Sequence, residues 1–215
     1  MKTETIHRAY GQASQYEQVM KTEWEPITPR AQTMEWLELQ PGGRLLEACV
    51  GSGLNFAYYP PQVNVVGIDF TPEMLALAAS KLPLAGRSIE LMHMDATHMS
   101  FADESFDAVL ETYALCVVPR PLEVLREMAR VCKRGGKVVL FDCIRSELPV
   151  VARNQELIKP FCMETGIPAG VIVWDPTRDY LELARDIPEL ELSRIVRFNQ
   201  DDVFASRCLI QFTRK

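Results

Sequence analysis

Two segments of this sequence combine glycines and a carboxylate in a spacing typical of nucleoside-binding sites. A short apolar run at 44–49 is followed by Gly51 and Gly53, and a β-branched run at 63–68 ends before Asp69. Glycines after a buried strand let a ligand approach the backbone, and an acid at the end of the next strand accepts hydrogen bonds from ribose hydroxyls. The pattern predicts a crevice that binds a nucleoside.

The glycine spacing argues against a dinucleotide in this crevice. The dinucleotide fingerprint is Gly-x-Gly-x-x-Gly, and the position of its third glycine is held by Phe56. A large side chain there obstructs the close packing of helix on strand that the third glycine permits. A nicotinamide-dependent oxidoreductase is therefore a disfavoured alternative.

The order of the motifs resembles that of the class I S-adenosylmethionine-dependent methyltransferases over about residues 40–145. The chain has the form Glu-x-x-x-Gly-x-Gly from Glu47, an acidic end to the second predicted strand, and Asp95-Ala96 after the third. The segments that begin at Leu45 and at Glu111 are similar to those of bacterial phosphatidylethanolamine N-methyltransferases and thiol S-methyltransferases.

The resemblance implies S-adenosyl-L-methionine as the cofactor. The glycine loop would pass beneath its methionine end, Asp69 would take the ribose hydroxyls, and Asp95 would accept from the adenine amine. Two tyrosines of the N-terminal segment either pack or reach the cofactor carboxylate. The implied cofactor-binding residues are Tyr10, Tyr16, Glu47, Ala48, Cys49, Gly51, Gly53, Asp69, Phe70, Met74, Asp95, Ala96 and Thr112.

The cysteines and histidines predict no metal site. Six cysteines are widely spaced without a Cys-x-x-Cys pair, and the three histidines lack the spacing of catalytic metal ligands. Cys49 stands where the family commonly has glycine, and Cys49, Cys116 and Cys143 are all expected near the crevice, either as small apolar side chains or as reactive thiols.

No catalytic base can be named from the sequence. Glu111, Tyr113 and Asp142 follow the fourth and fifth predicted strands and are candidates for the rim of the acceptor site. The two carboxylates would hold a cationic amine or take its proton; otherwise they are solvated or capping groups. The related group often has a histidine after the acid of the fifth strand, where this chain has Cys143, so that histidine's role is not transferred.

The elements that must position these residues alternate between strands and helices. This order predicts a doubly wound α/β fold of Rossmann-like type, with a seven-stranded, mostly parallel sheet and one antiparallel C-terminal strand. The predicted strands are 44–49, 63–68, 89–93, 106–111, 137–142, 190–198 and 207–212, and the predicted helices after the N-terminal segment are 71–81, 121–132 and 178–186.

The chain is expected to form a single methyltransferase domain over 1–215. Its predicted parts are a helical lid at 1–40, interrupted by Pro26 and Pro29; a cofactor-binding core at 41–145; a substrate cap at 146–175; and a C-terminal helix and strand pair at 176–215. The apolar residues of 146–175 either cover the acceptor or complete the core.

Charge and hydropathy limit the partners. The net charge is −6, which disfavours nucleic acid, and no apolar run reaches the roughly 18 residues of a membrane-spanning helix. We therefore expect a cytoplasmic methyltransferase that acts on nitrogen, sulfur or oxygen of a small-molecule acceptor. The alternatives are a phospholipid headgroup N-methyltransferase, with contact to a membrane surface left open, and a non-catalytic cofactor-binding protein.

Overall fold

The computed structural model describes residues 3–24, 28–85, 89–167 and 170–215. Seven strands of these residues form one sheet: β1 Arg44–Ala48, β2 Asn64–Asp69, β3 Ile89–His93, β4 Phe106–Thr112, β5 Cys132–Cys143, β6 Leu190–Phe198 and β7 Arg207–Arg214. Their order is β3-β2-β1-β4-β5-β7-β6, and only β7 pairs antiparallel with its neighbours. The predicted Rossmann-like sheet with one antiparallel strand is confirmed.

Helices cover the sheet and precede it in the chain. They are α1 Thr3–Tyr10, α2 Ala13–Val19, a π-helical turn Met20–Trp24, α3 Arg30–Glu35, α4 Pro72–Ala85, α5 Pro121–Val131, α6 Pro149–Glu164 and α7 Tyr180–Ala184. The N-terminal segment is therefore helical as predicted, and Pro26 lies outside the described residues. Within 146–175 the structure has helix α6, which apolar periodicity did not reveal.

The central strands are buried on both faces, as expected of a parallel sheet between helices. Leu45 packs in one core layer with Val65 and Phe141, while the next residue, Leu46, packs in the layer on the other side. Because successive side chains of a strand point to opposite faces, a continuous apolar run is needed here rather than an alternating one.

Two of the element boundaries that differ from the predictions reflect local hydrogen bonds that override composition. Strand β5 begins at Cys132, although the predicted strand begins at residue 137; Cys132 pairs with Phe106 before a register shift. Helix α7 begins after Asp179, whose carboxylate accepts from the backbone N–H of Leu181 and Glu182.

No helix within the described ranges is long and apolar enough to cross a bilayer.

Candidate functional site

The main cavity opens where the strand order reverses. The chain passes from β1 to β2 and β3 on one side and then crosses to β4 on the other side of β1, so a crevice forms at the carboxyl ends of these strands. The cavity has a volume of about 220 Å³. The predicted site residues that line it are Tyr10, Tyr16, Cys49, Gly51, Asp69, Phe70, Met74, Asp95, Ala96, Thr112 and Tyr113.

Three predicted cofactor residues are not among those that line this cavity. Ala48 is fully buried in the sheet, and Glu47 lies in a smaller cavity beneath the glycine loop. A Cβ on Gly53, whose φ is +78°, would lie 2.6 Å from the Phe56 ring. Phe56 therefore packs directly under the loop, where the dinucleotide fingerprint has glycine.

The carboxylate of Asp69 anchors the glycine loop and faces the cavity. Its Oδ2 accepts from Gly51 N at 2.8 Å, and its Oδ1 accepts from Thr71 N at 2.8 Å. Burial raises its pKa and these backbone hydrogen bonds oppose the rise. Each oxygen keeps a second lone pair, so the side chain is partly engaged by the backbone yet still able to accept two hydroxyl donors.

The cavity is bordered by two non-glycine residues in the left-handed region. Cys49, after β1, has φ +59°, and Tyr113, after β4, has φ +56°. This conformation costs about 1–2 kcal/mol for a residue with a Cβ, which explains why glycine is common at the first of these positions. Burial raises the pKa of Cys49, so its thiol stays protonated.

The buried carboxyl of Glu47 links the strands to the N-terminal helices. Asn55 donates to Glu47 Oε1 at 2.6 Å, Tyr59 donates to Oε2, and the Asn55 amide also donates to Thr112 Oγ1 at 3.1 Å. Arg30, on α3, donates to Asn55 Oδ1 at 2.5 Å. This network holds the glycine loop, the end of β4 and α3 in one arrangement.

We predict that Glu47 makes the protein less stable as the pH rises. Burial raises its pKa from 4.5 to about 7, so the folded state favours the protonated form. The stabilisation is complete below pH 4.5 and is lost as the pH rises through 7. Urea unfolding should show a loss of about 2–3 kcal/mol between pH 5 and pH 8 that Glu47→Gln lacks.

The control for this measurement is Glu73→Gln, on the exposed first turn of α4. It should retain the pH dependence of the wild type. If Glu47→Gln also retains that dependence, Glu47 is not the group responsible.

A second helix of the N-terminal segment is tied to the glycine loop. Lys81, on α4, donates to Glu17 Oε2 of α2 at 2.5 Å and to the Ser52 carbonyl at 2.5 Å. Tyr10, on α1, donates to the Val173 carbonyl at 3.0 Å. Residues 3–24 thus cover the cavity and contact the region after α6.

The opposite end of the cavity is more open. Asp95 Oδ1 accepts from the backbone and hydroxyl of Thr97, both at 2.8 Å, and the residue is exposed. The Phe70 ring lies 5.0 Å from the His7 ring and 6.2 Å from the His93 ring. The contact of His7 with Phe70 was not predicted from the sequence, although His7 lies in the segment predicted as a lid over the cofactor.

Sequence reasoning also missed the cavity wall formed by Val117, Val118, Pro119, Arg120 and Val124. These residues follow β4 and begin α5. The rule that ligands bind beyond the carboxyl ends of the strands was the signal that could have found them.

A smaller, mainly aromatic cavity adjoins the main one and shares Tyr10, Tyr16, Tyr113 and Val117 with it. We call it the aromatic pocket. Its lining residues are Tyr10, Tyr16, Met20, Trp24, Tyr113, Cys116, Val117, Cys143, Ile172 and Trp174. It joins the N-terminal helices, the end of β4 and the predicted cap around one apolar space.

The predicted rim position of Glu111 and Asp142 is wrong. Both are fully buried, and neither lines any of the three cavities found among the described residues. Glu111 Oε1 accepts from the backbone N–H of Ala114 and Leu115. Of the three rim candidates, only Tyr113 borders the cavities.

Asp142 instead ties together the backbone around the aromatic pocket. Its carboxylate accepts from Cys116 N at 2.9 Å and from Cys143 N at 2.6 Å. Burial raises the pKa of both Asp142 and Glu111, and repulsion between the two carboxylates raises that of Glu111 further. The pair organises the turns after β4 and β5.

One cluster of the described residues has the composition of a metal site: Cys116, Asp142 and Cys143, whose ligand atoms lie within 4.8 Å of one another. Both Asp142 oxygens already accept backbone N–H groups. Burial raises the pKa of Cys116 well above its usual range, which keeps a protonated thiol rather than the thiolate that binds metals. These three side chains are therefore better suited to internal hydrogen bonding than to binding a metal ion.

The methyltransferase domain family matches residues 46–140. A phosphatidylethanolamine N-methyltransferase of Cereibacter sphaeroides is 42% identical over 135 residues, which cover 61% of this chain and 66% of that protein. A demethylmenaquinone methyltransferase of Shouchella clausii is 36% identical over 127 residues, which cover 56% and 54%. The chain thus spans about half to two thirds of the length of these curated relatives.

The fold matches solved structures over nearly the whole chain. A structure of an S-adenosylmethionine-dependent methyltransferase from Thermotoga maritima superposes with a TM-score of 0.68 at 21% identity and covers 98% of this chain and 100% of that one. At this identity the likeness concerns the fold alone.

Proposed function

Since this chain belongs to the class I S-adenosylmethionine-dependent methyltransferases, we propose that it transfers the cofactor's methyl group to a heteroatom of a small, largely apolar acceptor. The observation that carries this proposal is the pair of adjoining cavities, which share Tyr10, Tyr16 and Tyr113. The main cavity suits the cofactor, and the aromatic pocket, which has a volume of about 10 Å³, would have to widen to admit the acceptor.

The residues of the main cavity fit S-adenosylmethionine. A Cβ on Gly51 would meet no atom within 4 Å, so the loop leaves room at this point for a ligand. The Asp69 oxygens retain lone pairs for ribose hydroxyls, Phe70 and Met74 offer apolar contact for adenine, and Asp95 offers an acceptor for its amine. Tyr16 and Thr112 would border the methionine end.

The cofactor supplies a methyl group on a positively charged sulfur, and the protein aligns and desolvates the nucleophile. Tyr16 and Tyr113 line both cavities. There they would exclude water and limit the directions from which the acceptor can approach. Burial raises the pKa of both phenols, so they remain neutral hydrogen-bond donors. No proton acceptor is assigned among the residues of the pocket.

Methyl transfer itself tests this proposal. The protein would be incubated with S-adenosylmethionine that carries a trideuterated methyl group and with pools of amines, thiols and phenols, and products would be followed by mass spectrometry. We expect a labelled product with stoichiometric demethylated cofactor. Binding of the cofactor without turnover of any acceptor would favour a non-catalytic binding protein.

A phospholipid headgroup is the second candidate acceptor, and two observations favour it. One relative is a phosphatidylethanolamine N-methyltransferase. In addition, Val150, Leu157 and Phe161 on α6 are 72%, 72% and 47% exposed, and their spacing puts them on one helix face. Vesicles of phosphatidylethanolamine would be included in the screen; labelled lipid there would select this alternative. With either acceptor we propose a cytoplasmic location.

A further inference from the structure

The glycine loop at 51–53 is held by two charged side chains. The Asp69 carboxylate accepts from Gly51 N at 2.8 Å, and the Lys81 ammonium donates to the carbonyl of the next residue, Ser52, at 2.5 Å. Ser52 is 2% exposed, so the second contact is made in the interior of the protein. Lys81 therefore fixes the path of the loop that would lie against the cofactor.

The same lysine holds a helix that covers the main cavity. The Lys81 ammonium also donates to Glu17 Oε2 of α2 at 2.5 Å, and Glu17 is 8% exposed. Tyr16, the residue before Glu17, lines the main cavity and the smaller cavity beneath the glycine loop. One cation thus joins the glycine loop to the helix that carries Tyr16. We call the contact of Glu17, Lys81 and Ser52 the latch.

Helix α2 depends on contacts with other elements. It has seven residues, its N-cap makes no side-chain hydrogen bond, and of these seven residues only Ala13 and Glu17 are buried. Helices shorter than about 12 residues are marginal in water, and segments with few buried apolar contacts open at a low cost in free energy. A charged contact to a neighbouring helix is therefore a large part of what holds α2 in place.

The two lysines that pair with Glu17 differ in their surroundings. The side chain of Lys21 is 57% exposed, whereas that of Lys81 is 22% exposed, and exposed ion pairs contribute little. Burial raises the pKa of Glu17, but the hydrogen bonds from both lysines outweigh this effect and leave the pKa below its ordinary value. Glu17 therefore stays ionised at neutral pH, and Lys81 is its more shielded partner.

We propose that Lys81 is a positioning residue that holds α2 against the glycine loop, and that opening of the latch releases the cofactor from the main cavity. While the latch is closed, Tyr16 stays in the wall of that cavity. When the latch opens, α2 and Tyr16 move away together. The inference rests on the proposed function in calling the ligand of this cavity the cofactor, whereas the attachment of α2 through Lys81 stands independently of any ligand.

Surface plasmon resonance tests the proposal by measuring the association and dissociation rate constants of the demethylated cofactor separately. The variant Lys81→Met keeps most of the apolar stem and removes the charge. We expect its dissociation rate constant to rise about 10-fold, as the loss of a charge-assisted hydrogen bond predicts. Its association rate constant should not fall, because an open α2 does not obstruct entry.

Two further lysine variants serve as controls. Lys21→Met removes the other cation that pairs with Glu17 and should keep both rate constants of the wild type. Lys81→Arg keeps a cation with several donors and should restore most of the slow dissociation.

The variant Glu17→Gln and the double variant with Lys81→Met distinguish the latch from a general loss of structure. Glu17→Gln leaves Lys81 free to donate to Ser52 and should still speed dissociation. The double variant should release the cofactor no faster than Lys81→Met, because both changes break the same contact. Effects that multiply in the double variant would show that the two residues act independently.

Hydrogen exchange of the ligand-free protein measures the opening of α2 without any cofactor. The backbone amides of 13–19 should exchange faster in Lys81→Met and in Glu17→Gln than in the wild type, and at the wild-type rate in Lys21→Met. If Lys81→Met does not fold, Glu17→Gln is used for both measurements.

The proposal is overturned if the folded Lys81→Met or Glu17→Gln variant releases the demethylated cofactor at the wild-type rate, if the effects of the two changes multiply, or if their α2 amides exchange as in the wild type. Failure of the proposed function looks different: no acceptor is methylated, while the faster dissociation and the faster exchange of α2 in the Lys81 variant persist.

Discussion

Replacing Asp69 with alanine is expected to weaken binding of the demethylated cofactor by about 1.5–3 kcal/mol, or about 10- to 150-fold. The carboxylate provides charge-assisted acceptors at the point where ribose hydroxyls would lie. It also holds Gly51 N and Thr71 N at 2.8 Å, so the variant loses the anchor of the glycine loop as well. Calorimetric titration measures the change directly.

The control for Asp69 is Asp103→Ala. Asp103 is an exposed acid that pairs with Arg130, and neither residue lines the main cavity, so its loss should leave the affinity for the cofactor unchanged. Asp69→Asn retains one acceptor oxygen and should fall between the wild type and the alanine variant. A folded Asp69→Ala variant with wild-type affinity would contradict the assignment of Asp69 to the ribose.

Replacing Asp142 with alanine is expected to lower the free energy of unfolding by about 3–5 kcal/mol. The side chain is fully buried, and its loss leaves Cys116 N and Cys143 N without an acceptor. The turns after β4 and β5 would lose their common anchor, and the walls of the aromatic pocket would shift with them. Urea unfolding at pH 7 measures the loss.

The variant Asp142→Asn helps to distinguish a structural role of Asp142 from a catalytic one. Its amide oxygen can still accept one of the two backbone N–H groups, so it should unfold at a urea concentration between those of the wild type and the alanine variant. If Asp142→Ala is as stable as the wild type but does not transfer methyl groups, Asp142 acts at the reacting centre and our structural assignment is wrong.

The parts of the site that follow a strand were predictable, because position in a parallel sheet decides where a residue lies. Asp69 and Thr112 end their strands, and the carboxyl ends of the parallel strands meet at one edge of the sheet. Gly51 and Cys49 come directly after β1 for the same reason. The position of Cys49 in the left-handed region explains why glycine is common there, but it does not explain why this chain has cysteine.

The parts that depend on contacts between distant segments were not predictable. Glu111 and Asp142 are the penultimate residues of β4 and β5, but their side chains accept from nearby backbone N–H groups and lie in the core. The closeness of Arg207 to Trp24 joins residues almost a whole chain apart and follows only from the pairing of β7 with β5. Periodicity within one element carries no information on either contact.

The aromatic pocket illustrates the same limit. Trp174 is in the segment predicted as a substrate cap, and Trp24 is in the predicted lid; the two rings meet at 5.9 Å. Each could be predicted to be apolar and near the site. Their mutual arrangement with Tyr113 depends on α6 and the π-helical turn, which apolar spacing alone did not reveal.

Calorimetric titration of the wild-type protein with demethylated cofactor and with NAD⁺ tests the central claim most directly. The Asp69 carboxylate, the open space at Gly51 and the Phe56 ring under the loop predict saturable binding of one molecule of demethylated cofactor per chain and no binding of NAD⁺. Tight binding of NAD⁺ with no binding of the demethylated cofactor would contradict it.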